Sequence, residues 1–245
     1  MISEMLVKTG RKLVDGYAPE GRDYWSARFW DRDEVERRPR LGDDLRRQKG
    51  ILGSYIKEHA GDAERVVEFA CGTGEFTAMA AKSTSATEIL AIDISEHALD
   101  QARARVSHNG LVLRQGDFWN IDGVGTAQMV MCVDAIHHIG EVESVLRRLR
   151  SFVDDGGVLI GNLWTMDNYH DFQRSSHGKI PHFMRSSLFL LNAMVMKATG
   201  GRVRWASYRT QFMYSHEIKP MLSKIFSEVL AVEATEFHVA FACRK

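Results

Sequence analysis

The chain has 245 residues, with 32 lysines and arginines against 32 aspartates and glutamates, so its formal net charge is zero. Balanced charge excludes a whole-molecule polyanion binder, and a hydrophobic content of 44% suits a soluble globular domain. The longest apolar stretch, Leu188 to Met196, is broken by Asn192 and falls far short of the roughly 20 residues that cross a bilayer, so no membrane partner is expected.

In chain order, residues 3–15 read as a short amphipathic helix. Tyr17, Tyr24, Trp25, Phe29 and Trp30 crowd the next stretch. Such aromatics either anchor a segment on a core or line a pocket mouth, which makes Tyr24 and Trp25 candidate substrate contacts. The mixed charges from Asp31 to Lys49 read as a solvated helix face. Residues 44–59 read as a helix whose apolar stripe is Leu45, Ile51, Leu52, Tyr55 and Ile56.

A regular alternation follows. Arg65–Ala70 reads as a strand, Glu75–Lys82 as a helix, and Glu88–Ile94 as a second strand carrying Asp93. Ser95 is placed to cap a helix with Leu99, Ala102 and Val106 on one face. Leu111–Gln115 is a third strand, followed by Asp117 and Phe118. Gln128–Val133 is a fourth, followed by Asp134, His137 and His138. Val142, Val145, Leu146 and Leu149 mark a helix. The turn Asp154-Asp155-Gly156-Gly157 leads into a fifth strand, Val158–Leu163, with Asn162 and Trp164 at its end. Strands alternating with helices predict a doubly wound, mostly parallel α/β sheet whose ligands lie at the carboxyl ends of the strands.

Residues 165–210 interrupt the alternation. They carry Arg174, Lys179, Arg185, Lys197, Arg202, Arg204 and Arg209 against Asp167 and Asp171, with an apolar helix expected over Phe183–Met196. The segment is too long for a simple connection and reads as a lid that selects substrate. A helix through Ile218, Leu222 and Ile225 follows. The strands Glu228–Ala234 and Phe237–Cys243 have so short a link that they pair antiparallel. The expected organisation is therefore a helical cap over 1–60, a core over 61–164, a lid over 165–210 and the end of the core over 211–245.

The sequence most charged with chemistry is Glu68-Phe69-Ala70-Cys71-Gly72-Thr73-Gly74, a strand that turns through glycines into a helix. Glycines let the backbone approach a ligand, and a helix N-terminus offers unpaired N–H groups. Together with Asp93, Asp117-Phe118 and Asp134 to His138 at successive strand ends, this loop resembles the acid-x-Gly-x-Gly-x-Gly motif of the class I S-adenosylmethionine-dependent methyltransferases, with Ala70 in place of the first glycine. The resemblance implies seven strands with an antiparallel last strand, and S-adenosylmethionine (SAM) as cofactor. It places Glu68, Ala70, Gly72, Gly74, Asp93, Ile94, Asp117, Phe118 and Asp134 around that cofactor. Asp93 would accept from the ribose hydroxyls, and Asp117 would meet the adenine amino group. A nicotinamide dinucleotide is the rival ligand, but its fingerprint wants a third glycine where Thr77 stands.

The methyl acceptor is expected to be a small molecule, in specialised metabolism, methylated on oxygen or nitrogen. An RNA or protein acceptor is the alternative, and so is a SAM-binding protein that transfers nothing; nucleic acid is disfavoured by the absence of a broad basic face. His137 is the candidate base, because histidine takes a proton near neutral pH. Tyr24, Trp25, His138, Asn162, Trp164 and Tyr208 are the candidate substrate contacts. No acid or histidine cluster has metal spacing, so no metal is expected. Cys71, Cys132 and Cys243 lie apart in apolar contexts, as reduced thiols in a cytoplasm do. The N-terminus does not read as a signal peptide, and a homodimer is a further expectation.

Overall fold

A computed structural model describes residues 2–19, 22–27, 39–205 and 208–245. Phe29, Trp30 and the first part of the charge run lie outside the described residues. Seven strands form one sheet in the order β3-β2-β1-β4-β5-β7-β6. They are β1 Arg65–Phe69, β2 Glu88–Asp93, β3 Leu111–Gln115, β4 Ala127–Cys132, β5 Val153–Trp164, β6 Glu228–Ala234 and β7 His238–Arg244. β1 to β5 run parallel, and β7 lies antiparallel between β5 and β6. The helices are α1 Ile2–Val14, α2 Arg22–Ser26, α3 Leu41–Ala60, α4 Glu75–Ser83, α5 Glu96–Arg105, α6 Ile136–Ile139, α7 Val142–Ser151, α8 Tyr169–His177, α9 Lys179–Ala198 and α10 Ser215–Ile225.

Both faces of the sheet are covered, which is why its central strands read as unbroken apolar runs. Successive residues of a strand point to opposite faces. Val67, Phe69, Val130 and Cys132 thus meet Val145, Leu146 and Leu149 of α7 and Ile218 and Leu222 of α10. Val66, Met129 and Met131 meet Leu52 and Ile56 of α3 and Phe76 and Ala80 of α4. Strand order reverses between β1 and β4, and the crevice at that switch point is where a doubly wound sheet holds ligands. Ser95 caps α5 as expected, its Oγ accepting from the Ala98 N–H at 3.3 Å.

Two expectations need correcting. The predicted turn at Asp154–Gly157 lies inside β5. The strand starts at Val153 against Ala127, slips register, and resumes with Val158 against Met129. Residues 165–210 form two helices, and these do not close over the strand ends. α9 packs on α1 through Val14, Ala193, Met196 and Tyr208, because the apolar face of α1 needs a partner. The outer side of α9 leaves Ile180, Phe183, Met184, Leu188, Leu191 and Met194 exposed. No described helix is long and apolar enough to cross a membrane.

Gly74 ends the loop after β1 with φ at 77°, and a Cβ there would lie 2.9 Å from that of Ala102 on α5. Gly50, in the middle of α3, meets nothing within 4 Å and has no positive φ. Gly74→Ala is therefore expected to lower unfolding stability by about 2 kcal/mol or more, from left-handed strain and the helix clash together. Gly50→Ala is expected to raise it by about 0.5–1 kcal/mol. Urea denaturation of both variants checks the pair, and equal effects at the two glycines would contradict it.

Candidate functional site

A cavity of about 940 Å³ opens at the switch point. The loop after β1 forms one wall with Glu68, Ala70, Cys71, Gly72 and Thr73. The ends of β2 and β3 add Asp93, Ile94, Asp117, Phe118 and Trp119. The end of β4 and α6 add Asp134, His137 and His138, and the far wall is Ala18, Pro19, Trp25, Trp164 and His238. Among the described residues no lysine or arginine lines the cavity, whereas Glu68, Glu75, Asp93, Asp117 and Asp134 do.

Asp93 organises the loop. One of its carboxylate oxygens accepts from the Gly72 N–H at 2.8 Å, and the other from the Ser95 N–H at 2.9 Å. Burial raises its carboxyl above the ordinary value while these N–H groups hold it down. Each oxygen keeps a lone pair for another donor. Ala70 and Gly72 hold left-handed backbone, at φ 54° and 53°. Ala70, which carries a Cβ, is therefore strained where Gly72 is not. Glu68 is 1% exposed and accepts from the Thr77 hydroxyl. Burial pushes its carboxyl up to about 8, against that hydrogen bond and with help from the nearby charges of Asp93 and Glu75.

At β3, Asp117 accepts from the Trp119 N–H at 2.9 Å and the Asn120 side chain at 3.1 Å, an Asx turn that ties the acid to the loop. The Phe118 ring meets Phe69 edge-on, at 5.2 Å between centroids, with the Arg148 guanidinium 5.5 Å from it. Beyond β4, Asp134 also has left-handed backbone, at φ 56°. Asn162 holds it twice, accepting from its N–H at 2.6 Å and donating to its carboxylate at 2.5 Å.

The expected residues divide by position. Glu68, Ala70, Gly72, Asp93, Ile94, Asp117, Phe118, Asp134, His137, His138, Trp25 and Trp164 line the cavity. Gly74, Tyr24, Asn162 and Tyr208 do not. Gly74 makes room for α5, and Asn162 works through Asp134. The Tyr24 ring lies beneath the Arg209 guanidinium at 4.2 Å. Tyr208 is packed between α1 and α9, where burial pushes its hydroxyl up to about 12. None of the described residues of 165–210 lines the cavity, so its outer wall comes from the N-terminal segment instead.

His137 is less suited to proton transfer than its place suggested. It is 1% exposed, burial drives its imidazole well below the usual range, and its Nδ1 faces the Trp164 N–H at 3.5 Å. His138 donates through Nδ1 to the Arg209 carbonyl at 2.8 Å and packs against Trp25, 5.1 Å between rings. Sequence reasoning missed Trp119, whose indole N–H bridges to the Ile139 carbonyl at 3.0 Å, and it missed His238. The buried thiols of Cys71 and Cys132 are raised by burial, so neither is a ready nucleophile.

The raised Glu68 carboxyl carries a pH signature. The folded chain keeps a proton there that the unfolded chain releases above its ordinary value of 4.5. Stability from this group therefore falls as pH rises from there towards 8, by up to about 1.4 kcal/mol per pH unit. Glu68→Gln is expected to remove that slope. Denaturation of wild type and variant side by side across the window measures it, and parallel curves would show that Glu68 is ionised in the fold.

Comparison with known proteins reaches the same part of the chain. Residues 66–157 match the family described as "Methyltransferase domain". An uncharacterized protein of Synechococcus is 31% identical over 100 residues, which is 39% of this chain and 24% of that protein. The ribosomal protein L11 methyltransferase of Thermotoga neapolitana is 32% identical over 73 residues, 29% of this chain and 27% of that protein. The aligned region thus spans about a quarter of these curated relatives. The magnesium protoporphyrin IX methyltransferase of Synechocystis, solved with bound S-adenosylhomocysteine, superposes with a TM-score of 0.58 at 15% identity, over 91% of this chain and 97% of that one. The matched segment holds the Asp93-closed loop and the strand ends that line most of the cavity, and it is this segment that is similar to the methyltransferase domain family.

Proposed function

We propose that the chain is a SAM-dependent methyltransferase acting on a small acceptor that carries a hydroxyl or amine. The observation that carries the reading is the charge of the cavity. Among the described residues, five carboxyl groups and no lysine or arginine line it. A sulfonium cation with its ammonium group is favoured there over the pyrophosphate of a dinucleotide, because the carboxyl groups outnumber the cations among the described lining residues. The same wall disfavours a polyanionic acceptor such as RNA. None of the described cationic side chains of residues 165–210 lines the cavity.

The residues present fit SAM. Asp93 would hold the ribose through the lone pairs its backbone bonds leave free, and Asp117 would meet the adenine. Gly72 would let the loop approach the methionine end beside Glu68. Bound there, SAM supplies a methyl carbon activated by a positively charged sulfur. The chain's task is to align the acceptor and keep water out. Trp25, Ile139 and Trp164 give the far wall its apolar surface. Trp25 and Trp164 each bury an indole N–H that has no hydrogen-bond partner. An unpaired buried donor costs about 1–3 kcal/mol, which an acceptor oxygen would recover. The three buried free thiols fit a reducing compartment, and we place the protein in the cytoplasm.

Calorimetric titration with SAM, S-adenosylhomocysteine and NAD tests the cofactor. The first two are expected to bind and the third is not; binding of NAD alone overturns the reading. Asp93→Ala is expected to weaken S-adenosylhomocysteine at least tenfold, about 1.4 kcal/mol. Unchanged affinity in a folded variant removes Asp93 from the cofactor site.

A further inference from the structure

Two residues outside the family-matched segment meet at the cavity wall. Asp44, in the first turn of α3, and His238, the first residue of β7, are 4% and 2% exposed. His238 Nδ1 and an Asp44 carboxylate oxygen are 2.6 Å apart. The other Asp44 oxygen accepts from the backbone N–H groups of Glu236 at 2.5 Å and Phe237 at 3.2 Å. Burial pulls the Asp44 carboxyl up, but the bond and charge of His238, with the bonds from Thr235 and Glu236, hold it below its ordinary value. The aspartate is thus an anion with its acceptor sites filled. It fixes the imidazole ring and calls for the proton of the neutral ring to sit on Nδ1.

That tautomer leaves a lone pair on Nε2. His238 lines the cavity, and no hydrogen bond to its Nε2 exists among the described residues. Trp164, its partner across the β5–β7 ladder, lies 5.1 Å from it ring to ring and carries the unpaired indole N–H. A base and an unpaired donor occupy one side of the cavity, where no lysine or arginine lines the wall among the described residues. The titratable groups that face His238 are Asp44 from α3 and His137 from α6. His137 is held neutral by burial and does not compete for the charge.

We propose that His238, positioned by Asp44, is the proton acceptor for the methyl acceptor's hydroxyl or amine. The proposal rests on the SAM-dependent reading of the cavity. In the step it describes, a lone pair of the acceptor's heteroatom forms the bond to the methyl carbon. The carbon–sulfur bond breaks with its electrons remaining on sulfur, and the heteroatom's proton passes to Nε2. One positive charge leaves sulfur and one appears on the imidazole beside the Asp44 carboxylate, so the charge of the cavity is unchanged. Release of that proton to solvent resets the ring.

Nitrogen-15 NMR of the histidine rings tests the proton's place without any acceptor, with His238→Gln identifying the signal. The expected ring carries its proton on Nδ1, with Nε2 unprotonated. A neutral ring protonated on Nε2, or a ring doubly protonated throughout, overturns the proposal. Turnover is then measured as S-adenosylhomocysteine formed with a panel of phenols, alcohols and amines. His238→Gln is expected to lower kcat at least ~100-fold while calorimetric affinity for S-adenosylhomocysteine stays within about twofold of wild type. Asp44→Asn is expected to move the acidic limb of the pH–rate profile, as a positioning carboxylate should, and His138→Gln to leave that limb in place. Wild-type turnover in His238→Gln, or a lost limb in His138→Gln alone, overturns the assignment. Failure of wild type to bind SAM would instead remove the cofactor reading, which the NMR result does not depend on.

Discussion

The site depends on one carboxylate between two strand ends. Asp93 leaves β2 and bonds back to the Gly72 N–H after β1 and forward to the Ser95 N–H that begins the turn into α5. The chain segments that leave β1 and β2 are thereby tied to one side chain. The loop it holds contains left-handed residues at Ala70, Gly72 and Gly74, a conformation that a free chain leaves readily. Without the carboxylate, nothing described here holds the Gly72 N–H. The same oxygens face the cavity, so the group that shapes the loop is also the one a ligand would meet.

Charge follows from that arrangement. A parallel sheet brings the carboxyl ends of β1 to β4 together, and each end in this chain carries an acid: Glu68, Asp93, Asp117 or Asp134. Four carboxylates so close repel one another, and burial adds to the cost. The chain relieves part of it in place. Glu68 keeps its proton, Asp93 and Asp117 draw on backbone N–H groups, and Asp134 is held by Asn162. What remains is a negative cavity that a cation would stabilise.

Much of this was legible in the sequence because it is local. The strand–glycine–helix turn, the acid after each parallel strand and the antiparallel final pair all follow from short-range pattern. The cavity's outer wall was not legible. Its closure by Ala18, Pro19 and Trp25, and the turning of α9 towards α1, depend on which apolar face finds a partner, and the local pattern of residues 165–210 is the same in either case. The cation excess of that segment was a misleading signal, since composition carries no direction. Tyr208 and Asn162 were near the site in sequence but are spent on packing and on holding Asp134.

His238 was missed for a geometric reason. In a parallel sheet the site residues follow the carboxyl ends of the strands. β7 runs the other way, so its first residue pairs with Trp164, the last residue of β5, and arrives at the same edge of the sheet. Asp44 reaches it from α3, nearly two hundred positions earlier in the chain, while also accepting from the N–H groups of the β6–β7 link. A carboxylate serving only to fasten that link would need no imidazole between itself and the cavity. Here the fastening and the histidine share one anion, so α3, which packs against the last strand, also sets the ring that lines the cavity.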